Sequence, residues 1–248
     1  MNSAIQHNNE IHQNLVRWQR RPLLQVVYRR FYELIAAQVR SDLSGKVVEL
    51  GSGIGNLKTV LPDSITTDLF RNPWIDQVET AYALSFGSGE VSNIILFDVF
   101  HHLEFPGTAL DEFRRVLVPA GRVIIFDPAI SLLGWLVYGA CHHEPIAWGH
   151  PITWTLPPKM DPKNAGYYAA QGNATRVFAI DSPGDRFLDW NVVLVRRLAA
   201  ISYVASGGYS GPQLYPASWL PLLTVLDRLC DHLPKLFATR LLVVLEKK

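Results

Sequence analysis

Three glycines at alternate positions, Gly51, Gly53 and Gly55, follow directly on the run Lys46-Val47-Val48-Glu49-Leu50. A short buried strand that breaks into glycines and then enters a helix leaves backbone N–H groups exposed at the carboxyl end of the strand. In an open parallel sheet, that edge is where ligands bind. The spacing separates this loop from the dinucleotide fingerprint, whose third glycine falls three residues after its second. Here Gly55 is two after Gly53, and Asn56 holds the fingerprint position.

The rest of the chain continues an alternation of short strands and helices. Strands are predicted over 46–50, 64–67, 76–79, 92–97 and 122–126, with short helices over 56–61 and 109–117 and a turn at Pro119-Ala120-Gly121. Further on, 129–140 and 218–233 read as helices, 192–201 as a sixth strand and 241–245 as a last, fully apolar one. In the helix over 218–233, Trp219, Leu222, Leu223, Leu226 and Leu229 share a face expected to pack. Strands alternating with helices imply an α/β fold with a parallel sheet and right-handed crossovers.

Composition narrows the class. With 248 residues, 48% apolar and 18% charged, the chain can bury a sizeable core. A net charge of +1 argues against a dedicated nucleic-acid binder. Two cysteines, Cys141 and Cys230, make no disulfide framework, which suits a reducing compartment. The first residues are polar, unlike a signal peptide, and no apolar run reaches the roughly 18–20 residues of a spanning helix without Gly or Pro. The expectation is a cytoplasmic protein. Charge is uneven: 1–46 carry seven basic and three acidic side chains, 47–128 five and eleven, 129–248 eleven and eight. The basic, aromatic segment 1–46 has two readings, a peripheral contact with anionic lipid or a helix covering the core. Leu23, Val27, Phe31 and Ile35 at helical spacing favour the core.

Residues 47–128 resemble the core of the class I S-adenosylmethionine-dependent methyltransferases of the small-molecule type. The carrying residues are Val47 to Gly55, Asp68, Ala81-x-x-Leu84-Ser85-Phe86, Asp98-Val99-Phe100-His101-His102-Leu103 and Glu112 to Arg122. A weaker resemblance, through Phe126-Asp127-Pro128, His142-His143-Glu144-Pro145 and Ser206 to Ser210, is to methyltransferases encoded among bacterial surface-polysaccharide genes. The resemblance implies a Rossmann-like, seven-stranded, mostly parallel sheet with helices on both faces and an antiparallel last strand. It implies a single domain over 1–248, with an N-terminal helical segment (1–46), a cofactor-binding core (47–128) and an acceptor-covering insertion with the last strands (129–248).

S-adenosylmethionine is then the expected cofactor. Gly51, Ser52, Gly53 and Gly55 suit its tail carboxylate, Glu49 its ammonium group and Asp68 its ribose hydroxyls. The family usually has an Asp for adenine just before the Ala81 position; here Thr80 stands there, with Ala81 beside it. By the same analogy Phe97 and Asp98 lie beside the methyl group. Transfer needs alignment and exclusion of water, and a base only where the acceptor must lose a proton. His101 and Asp98 are the catalytic candidates. His102, His142, His143 and Tyr209 are candidate acceptor contacts. The group His142-His143-Glu144 with His150 lacks metal-binding spacing, so no metal is expected. The Trp-rich stretch 135–190 reads as core or as a stacking surface for a sugar.

The reading is methyl transfer to a small-molecule or glycan- or lipid-linked acceptor, with no nucleic acid. Two alternatives remain: a non-catalytic binding protein of the same fold, for which Thr80 is the hint, and a nicotinamide-dependent oxidoreductase, against which the glycine spacing stands.

Overall fold

The computed structural model describes residues 3–141, 146–164, 168–180 and 184–248. Two helices open the chain, α1 (Ser3–Arg20) and α2 (Pro22–Ala36), separated by the non-helical Arg21. Pro22 suits the first turn of α2, where no backbone N–H is needed. The α2 side bearing Leu23, Val27, Phe31 and Ile35 is buried, as its spacing predicts. Its apolar surface is spent on the core and is not available to a lipid surface.

The α/β alternation follows as β1 (Lys46–Leu50), β2 (Ile65–Asp68), β3 (Gln77–Val78), β4 (Val91–Phe97), α3 (Pro106–Val116) and β5 (Leu117–Pro128). Then come α4 (Leu132–Cys141), the short α5 (Asn173–Thr175), β6 (Trp190–Leu198), α6 (Ile201–Ala205), α7 (Leu220–Cys230), α8 (Pro234–Phe237) and β7 (Arg240–Lys247). The seven strands form one sheet in the order β3-β2-β1-β4-β5-β7-β6. β1 to β5 pair in parallel, and β7 runs antiparallel between β5 and β6. This is the architecture the resemblance implies. β5 begins five residues before its predicted start, and the predicted turn survives inside it as an irregularity in its pairing with β4, with Ala120 at φ +60.

Alternation along the central strands assigns side chains to two layers. Ile94, Leu96, Val123 and Ile125 face α3 and the α5 region, together with Phe113 and Phe178. Ile95, Ile124, Phe126 and Leu242 face α2, α6 and α7. Segments from 146–180 close one end: the Gly107 N–H donates to the Trp154 carbonyl at 2.8 Å, and the Ala170 N–H to the His101 carbonyl at 3.0 Å. No helix among the described residues is long and apolar enough to cross a membrane.

α7 departs from its predicted orientation. Of the face expected to pack, only Leu223 is partly buried; Trp219, Leu222, Leu226 and Leu229 are exposed. Polar contacts set the rotation of the helix instead. Thr224 accepts from Arg30, Asp227 accepts from the Ser202 backbone N–H at 3.0 Å, and Asp231 accepts from the Ala199 N–H at 2.7 Å. A buried backbone donor left without an acceptor costs more than a leucine left in water, so the carboxylates turn inward. Cys230, near the end of α7, is only half-buried.

The seating of α2 is testable. Ile35 is fully buried among Ile95, Ile124 and Val244. We expect Ile35→Ala to cost about 2–5 kcal/mol in urea unfolding; a loss under about 1 kcal/mol means α2 is not packed on the sheet.

Candidate cofactor and acceptor site

The carboxyl ends of β1, β2, β4 and β5 and the amino end of the antiparallel β7 meet at one edge. A cavity of about 790 Å³ opens there, walled by α1, the 51–55 loop, α4 and the 203–214 segment. Its size lies within the range of ligand sites.

One half is built from β1 and β2. Gly51, Gly53 and Gly55 all have positive φ. At Gly51 a Cβ would lie 2.5 Å from Val99 Cγ2, whereas at Gly53 it would meet nothing within 4 Å. Gly51 therefore permits close backbone packing, and the absence of a side chain at Gly53 leaves open space beside its backbone. Ser52 stitches the loop to β2: its N–H donates to the Thr67 carbonyl at 2.8 Å, and its Oγ accepts from the Thr67 N–H at 3.0 Å. Asp68, at the end of β2, accepts from the Gly53 N–H at 3.2 Å and from its neighbour Leu69 at 2.7 Å. His7 of α1 lies 3.4 Å from the same carboxylate. Burial lifts the Asp68 carboxyl above its ordinary value, and the His7 imidazole and backbone N–H groups pull against that shift. Glu49 is 3% exposed, and its Oε2 has no hydrogen-bond partner. Burial pushes its carboxyl up to about 8. A buried carboxylate oxygen without a donor, facing a cavity, is a seat for a cationic group.

Thr80 and Ala81 line the same half, where the adenine contact was expected. The neighbouring Glu79 also lines it, but its carboxylate accepts from the Ser85 N–H at 2.9 Å and from the Ser85 hydroxyl. Residue type alone did not show this.

The other half is aromatic and charged. Asp98 follows Phe97 at the end of β4 in a left-handed conformation, φ +56. Its carboxylate pairs with Arg240, the first residue of β7, which is 2% exposed. The guanidinium lies over the Tyr203 ring at 4.3 Å, and its Nε has no partner. Burial lifts the Asp98 carboxyl and Arg240 lowers it. Tyr28 packs edge-on against Phe97, Tyr203 and Tyr209 at centroid separations of 5.5, 5.8 and 5.4 Å. Burial raises the phenols of Tyr28, Tyr32 and Tyr209, so they remain protonated.

His101 and His102 both line the cavity, their rings 4.0 Å apart. His101 Nδ1 is 3.0 Å from Oδ1 of Asp127, which is fully buried and also accepts from the Phe100 N–H at 3.1 Å. His102 Nδ1 is 2.7 Å from the Tyr168 carbonyl. The structure thus gathers Glu49, Gly51 to Ile54, Asp68, Thr80, Ala81, Phe97, Asp98, His101, His102 and Tyr209 around one cavity, whereas Gly55 packs against the Trp74 carbonyl and does not line it. His142 and His143 lie outside the described residues. Sequence reasoning missed Arg240, Asp127 as the partner of His101, and the tyrosines of α2. Only Asp127 carried a signal, in the Phe126-Asp127-Pro128 motif.

Residues 48–125 match the model of the methyltransferase domain family. The fold is similar to that of geranyl diphosphate C-methyltransferase from Streptomyces coelicolor, solved with Mg2+, geranyl diphosphate and S-adenosyl-L-homocysteine. That likeness has 10% identity, a TM-score of 0.54 and coverage of 89% of this chain and 79% of that one. It is also similar to an S-adenosylmethionine-dependent methyltransferase from Thermotoga maritima, described as a possible histamine N-methyltransferase. There the identity is 17%, the TM-score 0.51 and the coverage 96% and 99%. No curated protein sequence matches the chain significantly. Residues 48–125 thus match the methyltransferase domain family, and the chain shares the fold of these S-adenosylmethionine-dependent methyltransferases, whose class uses S-adenosylmethionine as cofactor. The dinucleotide-binding fold has no antiparallel strand inserted at the β7 position, which removes the oxidoreductase alternative.

Glu49 makes stability depend on pH. Its folded value, about 8, lies above its ordinary 4.5, so its neutral form is favoured in the fold. That contribution is complete below the unfolded value and is lost as pH rises through about 8. Thermal unfolding from pH 5 to 9 should show a decline that Glu49→Gln, neutral throughout, flattens. An unchanged pH slope in the variant would mean that Glu49 is ionised in the folded protein.

Proposed function

We propose that this chain is an S-adenosylmethionine-dependent methyltransferase acting on a hydroxyl group of a small-molecule or glycan- or lipid-linked acceptor. The observation that carries the reading is one cavity joining the glycine loop and the unpartnered Glu49 oxygen to the His101–Asp127 pair.

The residues fit the cofactor's parts. The tail carboxylate would lie against Gly51 to Ile54, where the Ser52 and Gly53 N–H groups are already bonded to Thr67 and Asp68; Glu49 would take the ammonium group, Asp68 the ribose hydroxyls, and Thr80 with Ala81 the adenine edge. The cofactor supplies an electrophilic methyl group on a sulfonium. Phe97, Tyr28 and Tyr209 enclose the reacting region and exclude water. His101, oriented by Asp127, would accept the proton of the acceptor hydroxyl. Asp127 acts through His101 and is a positioning residue. Asp98, tied to Arg240, orients the acceptor beside the cofactor. Tyr209 and His102 complete the acceptor wall.

Two measurements test this. In calorimetric titration, S-adenosylmethionine should bind in the micromolar range with release of a proton from Glu49, and NADH should not bind. Asp68→Ala should weaken binding about 10–100-fold, as loss of charge-assisted hydrogen bonds worth about 1.5–3 kcal/mol requires. No adenosyl binding at all would leave the non-catalytic alternative, with Thr80 as its mark. Once an acceptor is in hand, His101→Gln should lower kcat about 100-fold or more and abolish its fall at acid pH. Asp127→Asn should lower kcat with KM little changed. A wild-type pH profile retained by His101→Gln would exclude His101 as the base.

A further inference from the structure

The helices α4, α7 and α8 carry large exposed apolar side chains, and α4 also borders the cavity. On α4, Leu132, Trp135 and Leu136 are exposed, at 69%, 51% and 66%. On α7, the outward Leu222 and Leu229 are exposed at 65% and 61%. α8 joins the two: Ser131 Oγ, just before α4, donates to the Leu236 carbonyl of α8 at 3.1 Å, and α8 follows α7 after a three-residue turn. Single exposed leucines are ordinary, but large exposed apolar side chains on three helices linked in this way are not.

The exposed charges carried by these helices have one sign, although Glu33 of α2 shares a groove with Arg228, Arg30 and Arg196. The exposed ionisable residues described on α4, α7, α8 and the turn between α7 and α8 are Arg228, His232 and Lys235. The acids of the same stretch turn inward: Asp227 to Ser202, Asp231 to Ala199 and Arg196. Next to the mouth, Arg21 donates to the Gly208 carbonyl, and Arg17 lines the cavity. A second copy docked through this face would find no exposed acid on these helices to meet Arg228 and Lys235. An anionic bilayer satisfies both the apolar and the basic groups.

The face is continuous with the cavity. Val137 and Tyr138 of α4 line it, and so does Leu214, which is itself exposed. We propose that α4, α7 and α8 seat on an anionic lipid bilayer and present the cavity mouth to an acceptor carried on a lipid. The acceptor's class rests on the methyltransferase reading above; the docking itself does not.

The test is flotation of the full chain with vesicles of phosphatidylcholine mixed with phosphatidylglycerol, and of phosphatidylcholine alone. We expect binding to the anionic vesicles that weakens at high salt. The triple variant Leu136→Gln/Leu222→Gln/Leu229→Gln should lower partitioning about tenfold or more, since each leucine loses its burial in the interface. Arg228→Gln/Lys235→Gln should lessen the salt dependence. All these positions are exposed, and circular dichroism with thermal unfolding checks that the variants fold. Absence of flotation, or flotation unchanged in the triple variant, overturns the proposal. So does a dimer, seen by sedimentation equilibrium, that the triple variant dissociates. Titration with S-adenosylmethionine on the same samples separates the two readings. Flotation without cofactor binding removes the lipid-linked acceptor and leaves the docking. Cofactor binding without flotation removes the docking and leaves the enzyme.

Discussion

The ion pair between Asp98 and Arg240 ties the acceptor half of the cavity together. A guanidinium closed off from water is tolerated only where a carboxylate and aromatic faces replace its hydration. Asp98 supplies the carboxylate from the end of β4, and Tyr203 and Phe31 supply faces from α6 and α2. Loss of Asp98 would strand the buried Arg240 guanidinium, whereas Asp98 is partly open to water. The pair therefore holds a strand end, a strand beginning and two helices in one arrangement. It also accounts for a non-glycine residue at φ +56: the left-handed turn at Asp98 directs the carboxylate to Arg240.

The direction of β7 makes this possible. A parallel strand at that position would bring its last residue to the ligand-binding edge. Because β7 runs the other way, its first residue pairs with Pro128 and Arg240 arrives beside Asp98. The cavity thus has two kinds of wall. Residues 49–81 form the wall proposed for the cofactor through local turns, with α1 resting on it through His7. The wall proposed for the acceptor combines α2, α4 and the 203–214 segment, which are distant in sequence.

That division explains what could be read from the sequence. Glu49, the 51–55 loop and Asp68 belong to a strand–turn–strand unit whose geometry follows from glycine spacing and strand polarity, and they were recognisable from one stretch of chain. The strand count and α2's buried face followed from periodicity. Arg240 was missed because the predicted last strand began one residue later, and nothing local marks an arginine as buried. Asp127 was quoted as part of a motif, but its contact with His101 depends on the end of β5 lying beside the turn after β4. The rotation of α7 was misread because an apolar stripe is the stronger local signal, while the contacts that set it, to Arg30, Ser202 and Ala199, come from three separate elements.

The contact of His7 with Asp68 has a thermodynamic consequence. α1 rests on the carboxylate proposed to hold the ribose. The helix and a ligand at Asp68 would then be rivals for one anion, so a ligand would bind only the fraction of protein in which α1 has released it. Apparent affinity is the intrinsic affinity reduced by that fraction. The hinge between the rivals is Arg21, the non-helical link to α2, whose side chain is also anchored to Gly208 at the mouth. Occupancy at one end of the cavity is thereby coupled to the position of a helix that borders the other.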